Sequence, residues 1–255
     1  MKTALLTQLP LGEIRSFDSI GSTNDYAMQW ADQGAGDLSL VLANEQTAGR
    51  GRTGHKWFTP QNTALAFSLI LRPTGEERAH PARTTGLLAV ALTESLLQHG
   101  LNPLIKWPND ILLNASKVAG ILVESIWAGD QLEALILGMG VNVHKGAVPP
   151  ANELRFPATS VEDALGASIS REILLKDILT ALLAWRPKLG TAAFMAVWEK
   201  NLAYIGQQVR VWKGSEVAVM GKLLGLNPDG SLHLQDEHGK SVTVHFGEVH
   251  LRSLA

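Results

Sequence analysis

The sequence predicts an α+β fold, in which a mixed and largely antiparallel sheet is flanked by helices and followed by a small all-β barrel. Apolar, strand-like runs joined by short turns fill much of the chain before residue 144. Leucines at helical spacing between Pro81 and Gly100 indicate a core helix among them. From Gly206 onwards the pattern changes to short alternating strands. We therefore expect two domains, residues 1–205 and 206–255.

The composition excludes several functional classes. The chain has 255 residues, a hydrophobic content of 45%, a formal net charge of −2 and no cysteine. Disulfides, thiolate metal sites and cysteine nucleophiles are therefore excluded. The slightly acidic charge disfavours a surface built for nucleic acid, and the longest apolar runs are too short to span a membrane. We expect a cytoplasmic protein that binds neither nucleic acid nor membrane.

The first elements surround a basic loop. Ser22 or Thr23 is suited to cap a helix over residues 23–33, which Gly34 would end. Strand-like runs at 38–44 and 63–71 follow, and the loop QTAGRGRTGHKWFTP lies between them. This loop therefore connects two strands.

The next elements continue the sheet and then add helices. Strands are predicted at LIKW, DILL, KVAGILVES and LEALILGMGVNV, and their short turns make neighbouring runs antiparallel. A capping box at Ser160 and Asp163 opens a short helix, and Ser170 caps a longer one, REILLKDILTALLAWRP. A last helix runs through TAAFMAVWEKNLAY.

The final segment is predicted to be all β. Its strands are QVRVW, EVAVMGKLLGL, SLHLQDE and SVTVHF. Turn residues separate them at Lys213-Gly214-Ser215, Pro228-Asp229-Gly230 and His238-Gly239-Lys240. Strands this short and regular are typical of a small barrel.

The basic loop is the first candidate site. It carries Arg50, Arg52, His55 and Lys56, and their mutual repulsion suggests that they share an anion. The glycines of AGRGRTG allow close backbone approach, and guanidinium groups suit phosphate or carboxylate. A solvated surface loop explains the same residues, and the phosphate-loop motif GxxxxGK[ST] is not matched. Trp57 would either pack on the sheet or offer a flat face to a ring.

Three further motifs are weak when taken singly. KWPND places Asn109 and Asp110 at a turn beside Lys106, where they could hold magnesium and a phosphate oxygen, or form an ordinary turn. KVAG begins a strand with Lys117, which could equally be solvated. The glycines of GMGVNV indicate either a close approach or a β-bulge.

In combination, these motifs resemble the biotin protein ligases. Ser22-Thr23-Asn24, AGRGRTGHKWFTP, KWPNDI, KVAGILVE and GMGVNV occur in the order of that family, with a small β domain behind them. The similarity runs from about residue 15 to the end. It implies a catalytic domain like that of class II aminoacyl-tRNA synthetases and a C-terminal SH3-like barrel. It also implies that biotin and ATP, with magnesium, give biotinyl-adenylate, from which a carrier lysine takes the biotinyl group.

The resemblance also implies site residues. The ureido ring of biotin would lie against Ser22, Thr23 and Gln46, with the backbone around Arg50 closing over it, because a buried urea needs paired polar groups. The full biotin-binding set is Ser22, Thr23, Asn24, Gln46, Gly49, Arg50, Gly51, Arg52, Lys117 and Gly120. The ATP-binding set is Arg52, Trp57, Lys106, Asn109 and Asn142. Asp110 would hold magnesium, and Arg52, Lys117 and Lys106 would be catalytic.

The resemblance further suggests partners and regulation. The carrier would be a biotin carboxyl carrier protein domain of acetyl-CoA carboxylase. Many bacterial relatives carry an N-terminal DNA-binding domain, and the short segment before residue 15 leads us to expect no repressor activity. The enzyme would be a monomer or a homodimer, and strand 138–143 could pair across a two-fold axis.

Two alternatives remain at this point. A lipoate or octanoate protein ligase would share the fold, although GRGRTG and KWPND fit biotin better and cysteine-dependent acyltransferases are excluded. A non-catalytic binding module would use the basic loop for nucleic acid, which the acidic net charge disfavours.

Overall fold

The computed structural model describes residues 3–154, 156–213, 216–245 and 249–253. Two parts of the sequence-based predictions lie outside these ranges. They are Gly214 and Ser215 of one predicted turn, and Phe246 at the end of the last predicted strand.

The main sheet has seven strands in the order β1-β2-β3-β7-β6-β5-β4. β1 runs parallel to β2, and the other neighbouring strands run antiparallel, so the predicted mixed, largely antiparallel sheet is confirmed. The strands are β1 Ile14–Phe17, β2 Ser39–Ala43, β3 Ala64–Leu71, β4 Leu104–Lys106, β5 Asp110–Leu113, β6 Ser116–Ala128 and β7 Gln131–Asn142.

Six α-helices are found in the described residues. One of them was not predicted, and another is shorter than predicted. They are α1 Thr23–Asp32, α2 Gly75–Ala79, α3 Arg83–Gln98, α4 Val161–Leu165, α5 Arg171–Trp185 and α6 Ala192–Lys200. The Ser22, Ser160 and Ser170 side chains cap α1, α4 and α5 as predicted. The prediction missed α2, which is only five residues long and begins at a capping box of Thr74 and Glu77. The predicted helix 191–204 ends earlier, at Lys200.

The two faces of the main sheet are covered differently. Along β3, Leu65, Phe67, Leu69 and Leu71 lie in the large core that α3 and α5 complete. Their neighbour Ile70 points to the opposite face and packs in a second core with Ala27 and Trp30 of α1. Because side chains alternate along a strand, one face of the sheet belongs to α3 and α5 and the other to α1.

A five-stranded antiparallel sheet follows the main body, in the order β11-β10-β9-β8-β12. Its strands are β8 Gln208–Lys213, β9 Glu216–Leu226, β10 Leu232–Gln235, β11 Ser241–Val244 and β12 Val249–Ser253. Trp107 Nε1 donates to the Gly230 carbonyl oxygen at 3.0 Å, and Arg83 Nε donates to the Pro228 carbonyl oxygen at 2.9 Å. This small sheet therefore packs against the main body. Its closure into an SH3-like barrel, and a domain boundary at residue 206, stay predictions.

One expectation about assembly is wrong. β7 lies inside the sheet, with β3 along one side and β6 along the other. Gly138 and Gly140 are paired on both sides, so strand 138–143 has no open edge for pairing across a two-fold axis.

Among the described residues, no helix combines the length and the apolar composition that crossing a bilayer requires.

Gly86 tests the packing of α3 against α6. A Cβ atom at Gly86 would lie 2.5 Å from Cε3 of Trp198, a side chain that is fully buried. We expect Gly86→Ala to lower the free energy of unfolding by about 1–3 kcal/mol through overpacking, measured by urea denaturation. Gly36→Ala is the matched control, because a Cβ there meets nothing within 4 Å. Equal stability of the two variants would contradict this packing.

Candidate functional site

A trough of small residues crosses the face of the main sheet that carries α1. Gly140 of β7 pairs with Ala66 of β3 and Gly120 of β6, and Gly138 pairs with Ser68 of β3. We call these five residues the floor. Because they carry short side chains or none, other groups can approach the sheet backbone closely here. Asn24, at the start of α1, borders the floor at Gly138, and Trp57, from the loop of residues 46–60, lies over Gly140 and close to Gly120.

The glycines of β7 leave room for two specific side chains. A Cβ atom at Gly138 would lie 2.0 Å from Asn24 Oδ1, and one at Gly140 would lie 2.1 Å from Trp57 Nε1. β7 passes both positions without a shift of register. The close approach is therefore confirmed, and the alternative of a β-bulge is wrong.

Three predicted residues meet at the α1 end of the floor. The Thr23 backbone N and Oγ1 both donate to Gln46 Oε1, at 2.8 and 3.1 Å. Gln46 Nε2 donates to Thr59 Oγ1 at 3.1 Å, and Ser22 caps α1 beside them. Ser22 and Thr23 are each only 4% exposed. The structure thus gathers Ser22, Thr23 and Gln46 into one largely buried polar cluster, and their role in binding biotin stays a prediction.

Ser68 extends this cluster, and it was not among the predicted site residues. Its Oγ lies 2.8 Å from Thr23 Oγ1 and 2.5 Å from Asn24 Oδ1, and the residue is fully buried. Its only signal in the sequence is that it is a single polar residue inside the apolar run ALAFSLIL. A buried hydroxyl requires partners, and Thr23 and Asn24 provide them.

Arg50 is held by carboxylates of the chain itself. Its Nη1 and Nη2 donate to Glu124 Oε1 and Oε2 at 3.0 and 2.7 Å, and Nη2 lies 2.6 Å from Asp25 Oδ1. The hydrogen bonds to Glu124 raise the pKa of the Arg50 guanidinium above its ordinary value. The expectation that a ligand anion balances the loop cations is therefore wrong for Arg50. Neither Glu124 nor Asp25 was predicted.

A second cluster lies farther along the floor. Lys117 Nζ is 2.6 Å from Asp110 Oδ1 and 5.5 Å from the centroid of the Trp57 ring. Arg52 Nη1 donates to Asn109 Oδ1 at 3.4 Å, and Asn109 Nδ2 donates to the Ile121 carbonyl oxygen at 2.9 Å. Because Asn109 and Asp110 are adjacent in the chain, Arg52 and Lys117 lie in one neighbourhood, and their catalytic roles stay predictions.

Two more predicted residues flank this second cluster. Lys106 lies opposite Asp110 in the backbone pairing of β4 with β5. Its Nζ lies 4.1 Å from the centroid of the Phe156 ring. Asn142, at the end of β7, donates from Nδ2 to the Thr159 carbonyl oxygen at 3.1 Å. Both are more than nine-tenths buried.

The loop over the floor has internal hydrogen bonds. The Trp57 N–H donates to the Gly49 carbonyl oxygen at 2.9 Å, and the Gly51 N–H donates to the His55 carbonyl oxygen at 2.7 Å. A 3-10 turn, Arg52–Gly54, forms its tip. Lys56 is exposed, whereas Arg50 and Arg52 join different clusters. The four loop cations therefore do not share one partner.

The described residues contain no group of three or more His, Asp or Glu side chains that could hold a metal ion. Asp110, the predicted magnesium ligand, is paired with Lys117 instead. An ion beside Asp110 would need most of its ligands from a bound molecule or from water.

Two family models match the chain. Residues 16–142 match the Biotin/lipoate A/B protein ligase family, and residues 204–252 match the Biotin protein ligase C terminal domain. The first match covers α1, the loop and the whole floor, and the second covers nearly all of the small C-terminal sheet.

Named relatives agree with these matches. The Biotin--[acetyl-CoA-carboxylase] ligase of Paracoccus denitrificans is 36% identical over 87% of this chain and 93% of its own. The Bifunctional ligase/repressor BirA of Bacillus spizizenii is 34% identical over 87% of this chain and 69% of its own. The structure of Biotin protein ligase from Aquifex aeolicus in complex with biotin and ATP is similar with a TM-score of 0.78, at 28% identity over 94% of this chain and 99% of that one.

Ser68 tests the buried polar cluster. Ser68→Ala leaves Thr23 and Asn24 without one hydrogen-bond partner, so we expect the free energy of unfolding to fall by about 1–3 kcal/mol. Ser95→Ala is the control, since Ser95 Oγ is also buried but has no hydrogen-bond partner within the described part of the chain. Urea denaturation should show little loss, or a gain, for Ser95→Ala. A Ser68 variant as stable as the parent would refute the expectation.

Proposed function

The chain belongs to the biotin protein ligases, and we infer that it is an ATP-dependent enzyme that joins biotin to a carrier protein. In the first step the biotin carboxylate attacks the α-phosphorus of ATP, giving biotinyl-adenylate and pyrophosphate. In the second step a carrier lysine attacks the acyl carbon, and AMP leaves. The observation that carries this inference is the floor, which joins a neutral polar cluster at one end to a cationic cluster at the other.

We propose that biotin lies along the floor. Its ureido ring would lie at the cluster of Ser22, Thr23 and Gln46, whose neutral hydrogen-bonding groups suit an uncharged urea. Gly140 and Gly120 would allow the bicyclic ring and the valeryl chain to approach the sheet. The carboxylate would then reach Lys117 and Arg52.

ATP would bind at the cationic cluster. Lys106, Arg52 and Asn109 would meet the phosphates, and Trp57 and Asn142 would lie beside the nucleoside. The carboxylate and the polyphosphate repel each other, so cations fixed between them lower the barrier by positioning and electrostatic stabilisation. Asp110 would keep Lys117 in place before the substrates arrive, because their charged groups are only 2.6 Å apart.

Trp57 would have to move during binding. Its indole lies against Gly140 and close to Gly120, and so covers part of the floor. A ligand that lies on these glycines must displace the ring. After displacement, the indole would offer its face to a base or to the ligand itself.

Magnesium would accompany ATP. When bound, it would neutralise charge on the phosphates while the adenylyl group is transferred. The lone carboxylate of Asp110 fits an ion that keeps phosphate and water ligands, and does not fit a dedicated protein cage. In this role Asp110 would exchange or share its contact with Lys117.

The carrier domain of acetyl-CoA carboxylase is the proposed acceptor. The name of the Paracoccus relative supports this choice. Transfer needs the neutral form of the acceptor lysine, whose ordinary pKa of about 10.4 leaves little free amine at neutral pH. The reaction requires no covalent attachment to the enzyme, which agrees with a chain that has no cysteine. The cytoplasmic location and the state of assembly stay predictions.

The proposed function predicts a biotin-dependent exchange of labelled pyrophosphate into ATP. Lipoate should neither support the exchange nor compete with biotin at similar concentrations. Lys117→Met, which removes the ammonium but keeps an unbranched side chain, should reduce the exchange by about 10²–10³-fold. Exchange that depends on lipoate would instead identify the lipoate ligase of the same fold, and no exchange with either acid would indicate a non-catalytic binder.

Arg52 is predicted to retain the intermediate. Arg52→Gly should release biotinyl-adenylate faster by about one to two orders of magnitude, since a charged hydrogen bond contributes roughly 1.5–3 kcal/mol. Gel filtration of enzyme loaded with labelled biotin measures this retention. Lys56→Gly removes an exposed cation of the same loop and should retain the adenylate as the parent does. Unchanged retention by Arg52→Gly would refute the assignment.

A further inference from the structure

Glu124 connects the two segments that border the polar end of the floor. It lies on β6, two residues from Leu122, which pairs with Gly138 of the floor. Its carboxylate accepts hydrogen bonds from Arg50 Nη1 and Nη2 in the loop, and from Asn24 Nδ2 in α1 at 2.8 Å. Its side chain is 23% exposed. One partly buried carboxylate therefore bonds both the start of α1 and the loop.

We propose that Glu124 is a positioning residue for biotin, which acts by holding the Arg50 segment of the loop against the start of α1. This inference rests on the proposed function, because Ser22, Thr23 and Gln46 then bind the ureido ring. Glu124 contacts the arginine that lies next to this site and would not itself touch biotin.

The α1 side of this connection is held by several hydrogen bonds. Asn24 donates to Glu124 and also to the Leu122 carbonyl oxygen at 3.2 Å, and its Oδ1 lies 2.5 Å from Ser68 Oγ. Because Gly138 has no side chain, the Asn24 amide can pack directly against the sheet at this position. The carboxylate of Glu124 is thus presented to the loop in a fixed position.

The loop side depends on this fixed point. Arg50 lies between Gly49 and Gly51, and glycine loses more conformational freedom on ordering than any other residue. A bidentate bond from the Arg50 side chain to Glu124 restricts this segment before any ligand binds. Because the segment is already ordered, biotin binding does not include the entropy cost of ordering it, and the affinity for biotin is higher.

Asp25 provides an internal comparison. Its carboxylate also contacts Arg50, at 2.6 Å, but its side chain is 48% exposed and the contact involves only Nη2. An exposed ion pair is screened by water and contributes little. Glu124 should therefore control the loop, and Asp25 should contribute much less.

The test compares Glu124→Gln with Asp25→Asn in the full-length enzyme. Glutamine keeps the length of the side chain but removes the charge and one acceptor of the pair with Arg50. We expect Glu124→Gln to raise the KM for biotin about tenfold in the exchange assay, with the KM for ATP and kcat within about twofold. Asp25→Asn should change the KM for biotin by less than about threefold.

A second measurement needs no substrate. Without ligand, trypsin should cleave after Arg50 several times faster in Glu124→Gln than in the parent or in Asp25→Asn, because the arginine is no longer held. Unfolding midpoints measured in parallel report any general loss of structure. Arg50→Lys, which loses the bidentate geometry, should reproduce the effect on biotin, and combining it with Glu124→Gln should add little.

The outcomes separate the inference from the function on which it rests. Equal effects of Glu124→Gln and Asp25→Asn, an unchanged KM for biotin, or a parallel loss of kcat and of both KM values would overturn the role of Glu124. If Glu124→Gln does not fold, Arg50→Lys with an unchanged KM for biotin would overturn it. A parent without biotin-dependent exchange would refute the proposed function, and the trypsin comparison would still decide whether Glu124 holds the loop.

Discussion

The alternation of side chains along β3, β6 and β7 determines both the packing of the chain and the place of its site. On one face these strands present large apolar groups to α3 and α5. On the other face the same strands present Ala66, Ser68, Gly138, Gly140 and Gly120. A shift of register by one residue would turn the floor toward α3 and α5 and the large apolar side chains toward α1, so the large core also holds the floor in place.

The charges around the floor are organised in pairs within the chain. Arg50 is paired with Glu124, and Lys117 is paired with Asp110. Each pair keeps a cation at a defined position, which a group of unpaired, mutually repelling cations could not do. A substrate anion therefore meets a positioned lysine, and some of the attraction it gains is offset by the contact that Asp110 gives up.

The sequence predicted those parts of the site that carry a local signal. The motifs around Gln46, Lys106, Lys117 and Gly138 identified the correct strands and loop, because glycine, proline and clustered charge stand out in apolar runs. Ser68 and Glu124 lie in ordinary strands, and only the pairing of β3, β6 and β7 shows that they face Asn24. The same pairing overturned the expectation of an open edge at strand 138–143. These contacts depend on how strands that are distant in the sequence pair with one another. No local sequence pattern reports that pairing, so they were not predicted.

The position of Trp57 shows how binding and loop movement are connected. Its Nε1 is buried against Gly140 and has no hydrogen-bond partner within the described residues. A buried N–H without a partner costs about 1–3 kcal/mol, whereas the ring gains apolar contact with the floor. These opposing terms make the indole easier to displace than a fully bonded side chain such as Asn24. A ligand that covers the glycines replaces the lost apolar contact and lets the indole N–H find a partner, so the floor can be closed when empty and still open to its substrate.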